Sequence, residues 1–214
     1  MNPSQSGADI IWLSTTESTN RAVRDAICRL DNLSVIAAVE QTAGRGQGTH
    51  TWHSTPGKNL TFTMLYKPAN LPAASILTIT CAVTLGIRDY LSGHGIEAAI
   101  KWPNDIWVGD KKICGILIEN TLEQGRVSNS IIGIGFNLNE TDWPAELPNP
   151  VSLANLTGKQ YSCRPELESL AQKIRRRFSL AETDGGRKKL QEEFGKYVFR
   201  LDGDRRLPLP DLQP

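Results

Sequence analysis

The chain has 214 residues, 39% of them apolar, and its 24 Lys and Arg against 23 Asp and Glu leave a net charge of +1. That length suits one sizeable domain with a small appendage, and the charge balance argues against a general nucleic-acid binder, which would carry a basic stripe. No apolar run approaches 18 residues, so no membrane span is expected, and the polar start Met1 to Asp9 is unlike a signal peptide.

The four cysteines, Cys28, Cys81, Cys114 and Cys163, are scattered without a Cys-x-x-Cys pair. They read as reduced thiols of a cytoplasmic protein. His50 and His53 lie three apart with no Cys or carboxylate at a matching spacing, so zinc is not expected.

In chain order, Ile10-Ile-Trp-Leu13 reads as a short apolar strand. Ser14-Thr-Thr-Glu17-Ser-Thr-Asn20 is dense in N-cap residues and contains a Ser-x-x-Glu capping-box pattern. A helix is predicted to follow to about Leu30, with Ala22, Val23, Ala26, Ile27 and Leu30 on one face. Leu33 to Val39 reads as a buried strand; a glycine-rich loop comes next; Leu60 to Tyr66 alternates as a strand with one face buried. Ala73 to about Ser92 predicts a long helix that Gly93-His-Gly95 stops. Ala98 to Trp102 is a strand and Pro103-Asn-Asp105 a turn. Ile106-Trp-Val108 joins Lys111 to Asn120 through the two-residue turn Gly109-Asp110. A second turn at Glu123-Gln-Gly125 leads into Val127 to Leu138. After a Pro-rich loop from Asp142 to Pro150, helices are expected from Arg164 or Pro165 to about Leu180 and from Gly186 to Phe194. Val198 to Pro214 holds a strand and a proline-punctuated tail. The order β-α-β-β-α, then hairpins, then helices, predicts an α+β fold: a mixed, largely antiparallel sheet backed by helices.

The stretch Gln41-Thr-Ala-Gly-Arg-Gly-Gln-Gly-Thr-His-Thr-Trp52, continuing to Lys58, places four glycines between strands beside a guanidinium and a tryptophan. Such a loop suits an anion: bare backbone N–H groups approach closely and Arg45 offers a charged fork. It is neither a Walker A loop nor a dinucleotide fingerprint, since a strand follows rather than a helix. Lys101, beside Trp102-Pro103 at a strand end, and Lys112, ahead of Gly115, add two ammonium groups suited to bridging carboxylate and phosphate oxygens. Asn104-Asp105 is either an Asx turn or a carboxylate that contacts Mg²⁺ or accepts a proton. Strand alternation puts Gly133, Gly135 and Asn137 on one face, for ligand approach or for helix packing. Ser18-Thr-Asn20 is a helix start whose hydroxyls also suit a polar, uncharged head group. Arg175-Arg-Arg177 reads as a solvated helix face.

Glu17-Ser-Thr-Asn20, Gln41-Thr-Ala-Gly-Arg-Gly46 with Trp52, Lys101-Trp-Pro-Asn-Asp105, Lys112-Ile-Cys-Gly115 and Gly133-Ile-Gly-Phe-Asn137 resemble, in order and spacing, the motifs of biotin protein ligases. The resemblance covers about residues 10 to 200. It implies the fold of class II aminoacyl-tRNA synthetase cores and a two-step reaction. The biotin carboxylate attacks the α-phosphate of ATP, giving biotinyl-5′-AMP and pyrophosphate; a lysine of a biotin carboxyl carrier domain then takes the biotinyl group and AMP leaves. By motif, Ser18, Thr19, Asn20 and Gln41 would hold the ureido end of biotin. Gly44, Arg45, Gly46 and Gln47, with Lys112 and Gly115, would wrap the carboxylate and phosphate. Trp52, Lys101, Asn104, Asp105 and Asn137 would line the ATP side. Lys112, Arg45 and Asp105 are the expected catalytic groups, and Mg²⁺ would accompany ATP near Asp105 rather than sit in a protein cage.

Many members of that family carry Gly-Arg-Gly-Arg-x-Gly-Arg-x-Trp where this chain has Gln47-Gly-Thr-His-Thr51, so fewer cations stand in the loop. With nine residues ahead of the first strand, the winged-helix DNA-binding domain of repressor-type members is expected to be absent. The resemblance divides the chain into a catalytic biotin and ATP domain over 1–195 and a shortened remnant of a small C-terminal β-barrel over 196–214. A homodimer through a sheet edge is a further expectation. The alternatives are a lipoate or octanoate ligase of the same fold, and a biotin-binding module with impaired catalysis.

Overall fold

The structure is a computed structural model that describes residues 9–48, 50–202 and 205–208. Thr49 of the glycine-rich loop and the tail from Leu209 lie outside the described residues. The chain order is β1 (Ile10–Thr16), α1 (Thr19–Ala26), β2 (Val35–Gln41), β3 (Leu60–Tyr66), a 3-10 turn (Ala73–Ser75), α2 (Leu77–Gly93), β4 (Ala99–Lys101), β5 (Asp105–Val108), β6 (Lys111–Glu123) and β7 (Arg126–Phe136). It continues through α3 (Leu153–Thr157), α4 (Cys163–Ala181), α5 (Asp184–Gly195), β8 (Val198–Asp202) and β9 (Arg205–Pro208).

Among the described residues the nine strands form one sheet in the order β1-β2-β3-β7-β6-β5-β4-β8-β9. β1 with β2 and β4 with β8 are parallel pairs; the other six are antiparallel. The two-residue turn predicted at Gly109-Asp110 and the turn predicted at Glu123-Gln-Gly125 are where β5, β6 and β7 reverse, the second as the two residues Gln124-Gly125, with Gly109 and Gly125 at positive φ. β8, expected as a strand, runs alongside β4, so the described residues after 196 extend the main sheet.

β3 departs from expectation. All seven of its residues are buried, not only one face. Leu60, Phe62, Met64 and Tyr66 join the large core with α2 and α4, while Leu65 packs under α1 with Val23, Ile36 and Ile131. Its alternation is apolar against threonine, and the Thr63 side is covered too.

Residues 73–93 are, by length and mean hydropathy, apolar enough to cross a membrane, although Arg88 and Asp89 interrupt them and, as expected, no unbroken apolar run of that length exists. They form the 3-10 turn and α2, and α2 is the central core helix, with Ile79, Val83, Leu85 and Ile87 fully buried against the sheet and α4. Gly86 permits that contact: a Cβ there would lie 2.6 Å from Ile174 Cα on α4. Arg177, read as a solvated residue, instead ties three helices. It donates to Asp89 of α2 at 2.6 Å and to Glu193 of α5 at 2.6 Å and 2.8 Å.

Two local readings need correction. The Ser14 to Glu17 capping-box pattern lies on β1 and the turn after it. The N-cap of α1 is Ser18, whose side chain makes no capping bond. α3 was not anticipated: Ser152 accepts from Asn155 N at 3.0 Å, the Asn155 side chain answers the Ser152 backbone, and Gly158 ends the helix at φ 71°. All four cysteines are free thiols, and burial pushes the Cys81 thiol up to about 12.

Candidate active site

A cavity of 340 Å³ opens between the N-terminus of α1, the glycine-rich loop and the bare middle of β6 and β7. Its polar end is built by α1. Ser18, Thr19 and Asn20 are buried there, a consequence of placing three small polar residues where the helix begins. With no hydroxyl cap on the first turn, the Gln41 side chain takes that place: its Oε1 accepts from Thr19 N at 2.8 Å and from Thr19 Oγ1 at 3.0 Å. Thr63, beneath, lies 2.8 Å from Thr19 Oγ1 and donates to Asn20 Oδ1 at 2.6 Å.

The floor is glycine, as the strand alternation required. Gly115 on β6 pairs directly with Gly135 on β7, and Leu117 with Gly133. These positions admit side chains of the protein itself. A Cβ at Gly133 would collide with Asn20, and one at Gly135 with the Trp52 indole. One at Gly115 would lie 3.0 Å from Trp52 and 3.1 Å from Lys112 Nζ. Trp52 therefore lies in the glycine trough, with its Nε1 buried and unpartnered among the described residues.

The loop that delivers Trp52 closes on itself. Arg45 bridges Thr51, Gly46 N donates to His50 O at 2.7 Å, and Trp52 N to Gly44 O at 3.1 Å. Gly44 is needed for this closure, since a Cβ would lie 2.5 Å from Trp52 O. Gly48, at the tip, has φ +65°.

The charged end has Lys112 Nζ 2.7 Å from Asp105 Oδ1 and 5.7 Å from the Trp52 ring. Lys101 Nζ stands 4.9 Å over the Trp107 ring. Asn104 latches the turn to β6: its Nδ2 donates to Ile116 O, and Ile116 N to its own carbonyl, both at 2.9 Å. Asn104 thus has a structural role other than the Asx turn expected of it, since its side chain donates to β6, and it also borders the cavity. Asp105 is the carboxylate of the cavity wall, paired with Lys112, and the described residues contain no cluster of three metal-binding side chains.

Of the expected residues, Ser18, Thr19, Asn20, Gln41, Arg45, Gly46, Gln47, Trp52, Lys101, Asn104, Asp105, Lys112 and Gly115 meet at this one cavity. Gly44 and Asn137 stand behind its wall. Asn137 is buried, and its Nδ2 donates to Val151 O at 3.0 Å and Lys112 O at 3.3 Å. Lys58, counted with the loop cations, turns away to Glu140 at 3.0 Å. Burial would raise the Glu140 carboxyl, but hydrogen bonds from Thr55 and Lys58, and the Lys58 charge, outweigh it and hold it below the usual range. Sequence reasoning missed His50, Trp102 and Pro103 on the wall, and Thr63 and Glu119 behind it. The period of two was the available signal for Glu119, which shares a strand face with Gly115 and Leu117.

A family model described as the biotin/lipoate A/B protein ligase family matches residues 12–137. The bifunctional ligase/repressor BirA of Bacillus subtilis (strain 168) is 34% identical over 159 residues, 72% of this chain and 49% of that protein. The biotin--[acetyl-CoA-carboxylase] ligase of Paracoccus denitrificans is 31% identical over 165 residues, 74% of this chain and 68% of that protein. The chain spans about half the length of the Bacillus relatives it matches. In fold, the chain is similar to the biotin protein ligase of Aquifex aeolicus in complex with biotin and ATP, with a TM-score of 0.76, 24% identity and coverage of 93% of this chain and 84% of that one. The expected architecture therefore holds.

Proposed function

This chain belongs to the biotin/lipoate A/B protein ligase family, and from that membership we propose that it is an ATP-dependent biotin protein ligase. It would form biotinyl-5′-AMP and pass biotin to a lysine of a biotin carboxyl carrier domain. The observation that carries this reading is the cavity itself: Arg45, Lys101 and Lys112 around a glycine trough that adjoins the uncharged polar end of Ser18, Thr19, Asn20 and Gln41.

That asymmetry suits a substrate with a polar, uncharged head and an anionic tail. A ureido ring offers one acceptor and two donors, which hydroxyls and amides satisfy. The tail reaches the cations, where it meets the α-phosphate. The step joins two anions, so fixed positive charge at the developing negative oxygens is the principal source of rate, and co-binding removes the entropy of encounter. Lys112 contacts the carboxylate and phosphoryl oxygens, exchanging Asp105 for them as they arrive. Arg45, Gly46 and Gln47 close over the reacting group and exclude water from the anhydride. Trp52, Lys101, Asn104 and Asp105 border the nucleotide, and Gly44 and Asn137 act through the backbone they hold. Mg²⁺ would be carried by the phosphates of ATP, with Asp105 the carboxylate nearest to it, since one carboxylate already paired with Lys112 is too few to hold the ion alone.

The polar end disfavours a lipoyl or octanoyl chain, which wants an apolar tunnel. The relative from Paracoccus denitrificans is named for biotin and acetyl-CoA carboxylase. Pyrophosphate release with biotin and MgATP tests the assignment, with lipoate in a parallel arm. Release with biotin alone is the expected result; release only with lipoate, or none at all, overturns it.

A further inference from the structure

Glu119 lies on β6, behind the cavity wall and against α1, and its carboxylate is divided between two partners. Oε2 accepts from Asn20 Nδ2 at 2.8 Å and Oε1 from Arg24 at 2.7 Å. The Arg24 contact is half-exposed and of a kind that contributes little by itself. The Asn20 contact differs, because Asn20 is 6% exposed and its amide must find partners inside the protein.

We propose that Glu119 is a positioning residue that sets, through Asn20, the donor and acceptor pattern at the acid-binding end of the cavity. An ionised carboxylate only accepts. The Asn20 amide must therefore turn its NH₂ toward Glu119 and its oxygen toward Thr63. Thr63 has one hydroxyl proton and gives it to Asn20 Oδ1 at 2.6 Å. Its oxygen, 2.8 Å from Thr19 Oγ1, is then left to accept. At the far end Thr19 N–H holds the Gln41 amide with its oxygen inward, 2.8 Å away. The Thr19 proton is thereby kept inside the chain, shared between Thr63 and Gln41. Thr19 and Gln41 both line the cavity, and the chain leaves them a Thr19 lone pair and the Gln41 NH₂ to offer a ligand, one acceptor beside one donor. That is the complement of a urea edge, which presents an N–H beside a carbonyl. The substitution Glu119→Gln removes the constraint, because an amide both donates and accepts. Asn20 is then free to flip, Thr63 gives its proton to Thr19, and Thr19 can turn its own proton to the cavity beside the Gln41 NH₂, so that two donors replace the acceptor and donor pair.

The bare position at Gly133 serves the same end, since any side chain there would collide with Asn20. This inference rests on the ligase reading and concerns recognition of the acid, not the chemistry on it. The test measures biotin and ATP affinity by calorimetry, and steady-state pyrophosphate release, for the wild type, Glu119→Gln and Arg24→Ala. For Glu119→Gln the expected result is a loss of biotin affinity of about tenfold or more, the scale of a hydrogen bond to a charged group. Turnover at saturating biotin and KM for ATP stay within about twofold, a split that general destabilisation would not produce. Arg24→Ala, which leaves the bond to Asn20, keeps biotin affinity within about twofold, the scale of an exposed ion pair. Unaltered biotin affinity in Glu119→Gln overturns the inference alone, as does an equal weakening of biotin and ATP. A wild type that neither binds biotin nor releases pyrophosphate overturns the ligase reading and this inference with it.

Discussion

Lys112 Nζ lies 2.7 Å from Asp105 Oδ1, although the two residues sit on neighbouring strands of different register. The pairing holds the Lys112 ammonium beside the Trp52 ring, 5.7 Å from its centre, at the junction of the polar and cationic ends.

Lys112→Ala is expected to lower pyrophosphate release about 10²- to 10³-fold, the scale of removing one preorganised charge at a developing oxyanion. Biotin affinity should fall far less, because the Ser18 to Asn20 end is untouched. Asp105→Asn removes only the partner and should lower turnover less than Lys112→Ala. Steady-state rates rank the variants, and equal rates for the two would refute the role given to the ammonium.

Arg45 borders the cavity and makes no side-chain hydrogen bond or ion pair with the described residues. Arg45→Ala should leave stability within about 0.5 kcal/mol while releasing the adenylate to solvent faster. Trapping labelled adenylate after a single turnover measures this; retention equal to wild type would remove the loop from its assigned role.

Gly133→Ala introduces a methyl group where Asn20 stands. Overpacking of this kind costs about 1–3 kcal/mol, and the displaced amide should weaken biotin binding more than ATP binding. Thermal melts and calorimetry of the variant decide the point, and an unchanged melt with full biotin affinity would contradict the described packing.

Glu140 is buried beside Lys58 and has its carboxyl held below the ordinary value. A depressed carboxylate contributes stability that is fully present above its unfolded value near 4.3. That contribution is lost as the pH falls through the folded value. Glu140→Gln should therefore cost about 1–3 kcal/mol at neutral pH and close the gap to wild type in acid. Denaturant melts across pH 7 to 3 check the sign; a gap that widened in acid would reverse it.

Much of this was readable from residues alone. The hairpins of β5, β6 and β7 followed from Gly109-Asp110 and Gly125, and the glycine face from a period of two at Gly133 and Gly135. α3 was not, because five residues are too few to display a helical period; only Ser152, Asn155 and Gly158 marked it. The full burial of β3 was hidden because threonine, polar by composition, faces a hydrogen-bonded interior at Thr63. The Ser14 to Glu17 pattern misled because strand pairing with β2 outweighed local capping. Asn137 was placed on the nucleotide side by motif resemblance, whereas its amide donates to two backbone carbonyls. Glu119 lay unmarked in the predicted strand Lys111 to Asn120, because the Asn20 it pairs with is 99 residues away in the chain.

The first residues of β6 are held from outside the cavity. Lys112 N donates to Asn149 O at 2.8 Å, Val151 N donates to Lys112 O at 3.0 Å, and Asn137 closes on the same carbonyl. The proline-punctuated segment before α3 is thus anchored at its last residues to the backbone of the very lysine that faces the substrates. An insertion or a deletion near residue 149 would move a charge it never touches, whereas the same change a few positions earlier would be absorbed at the surface.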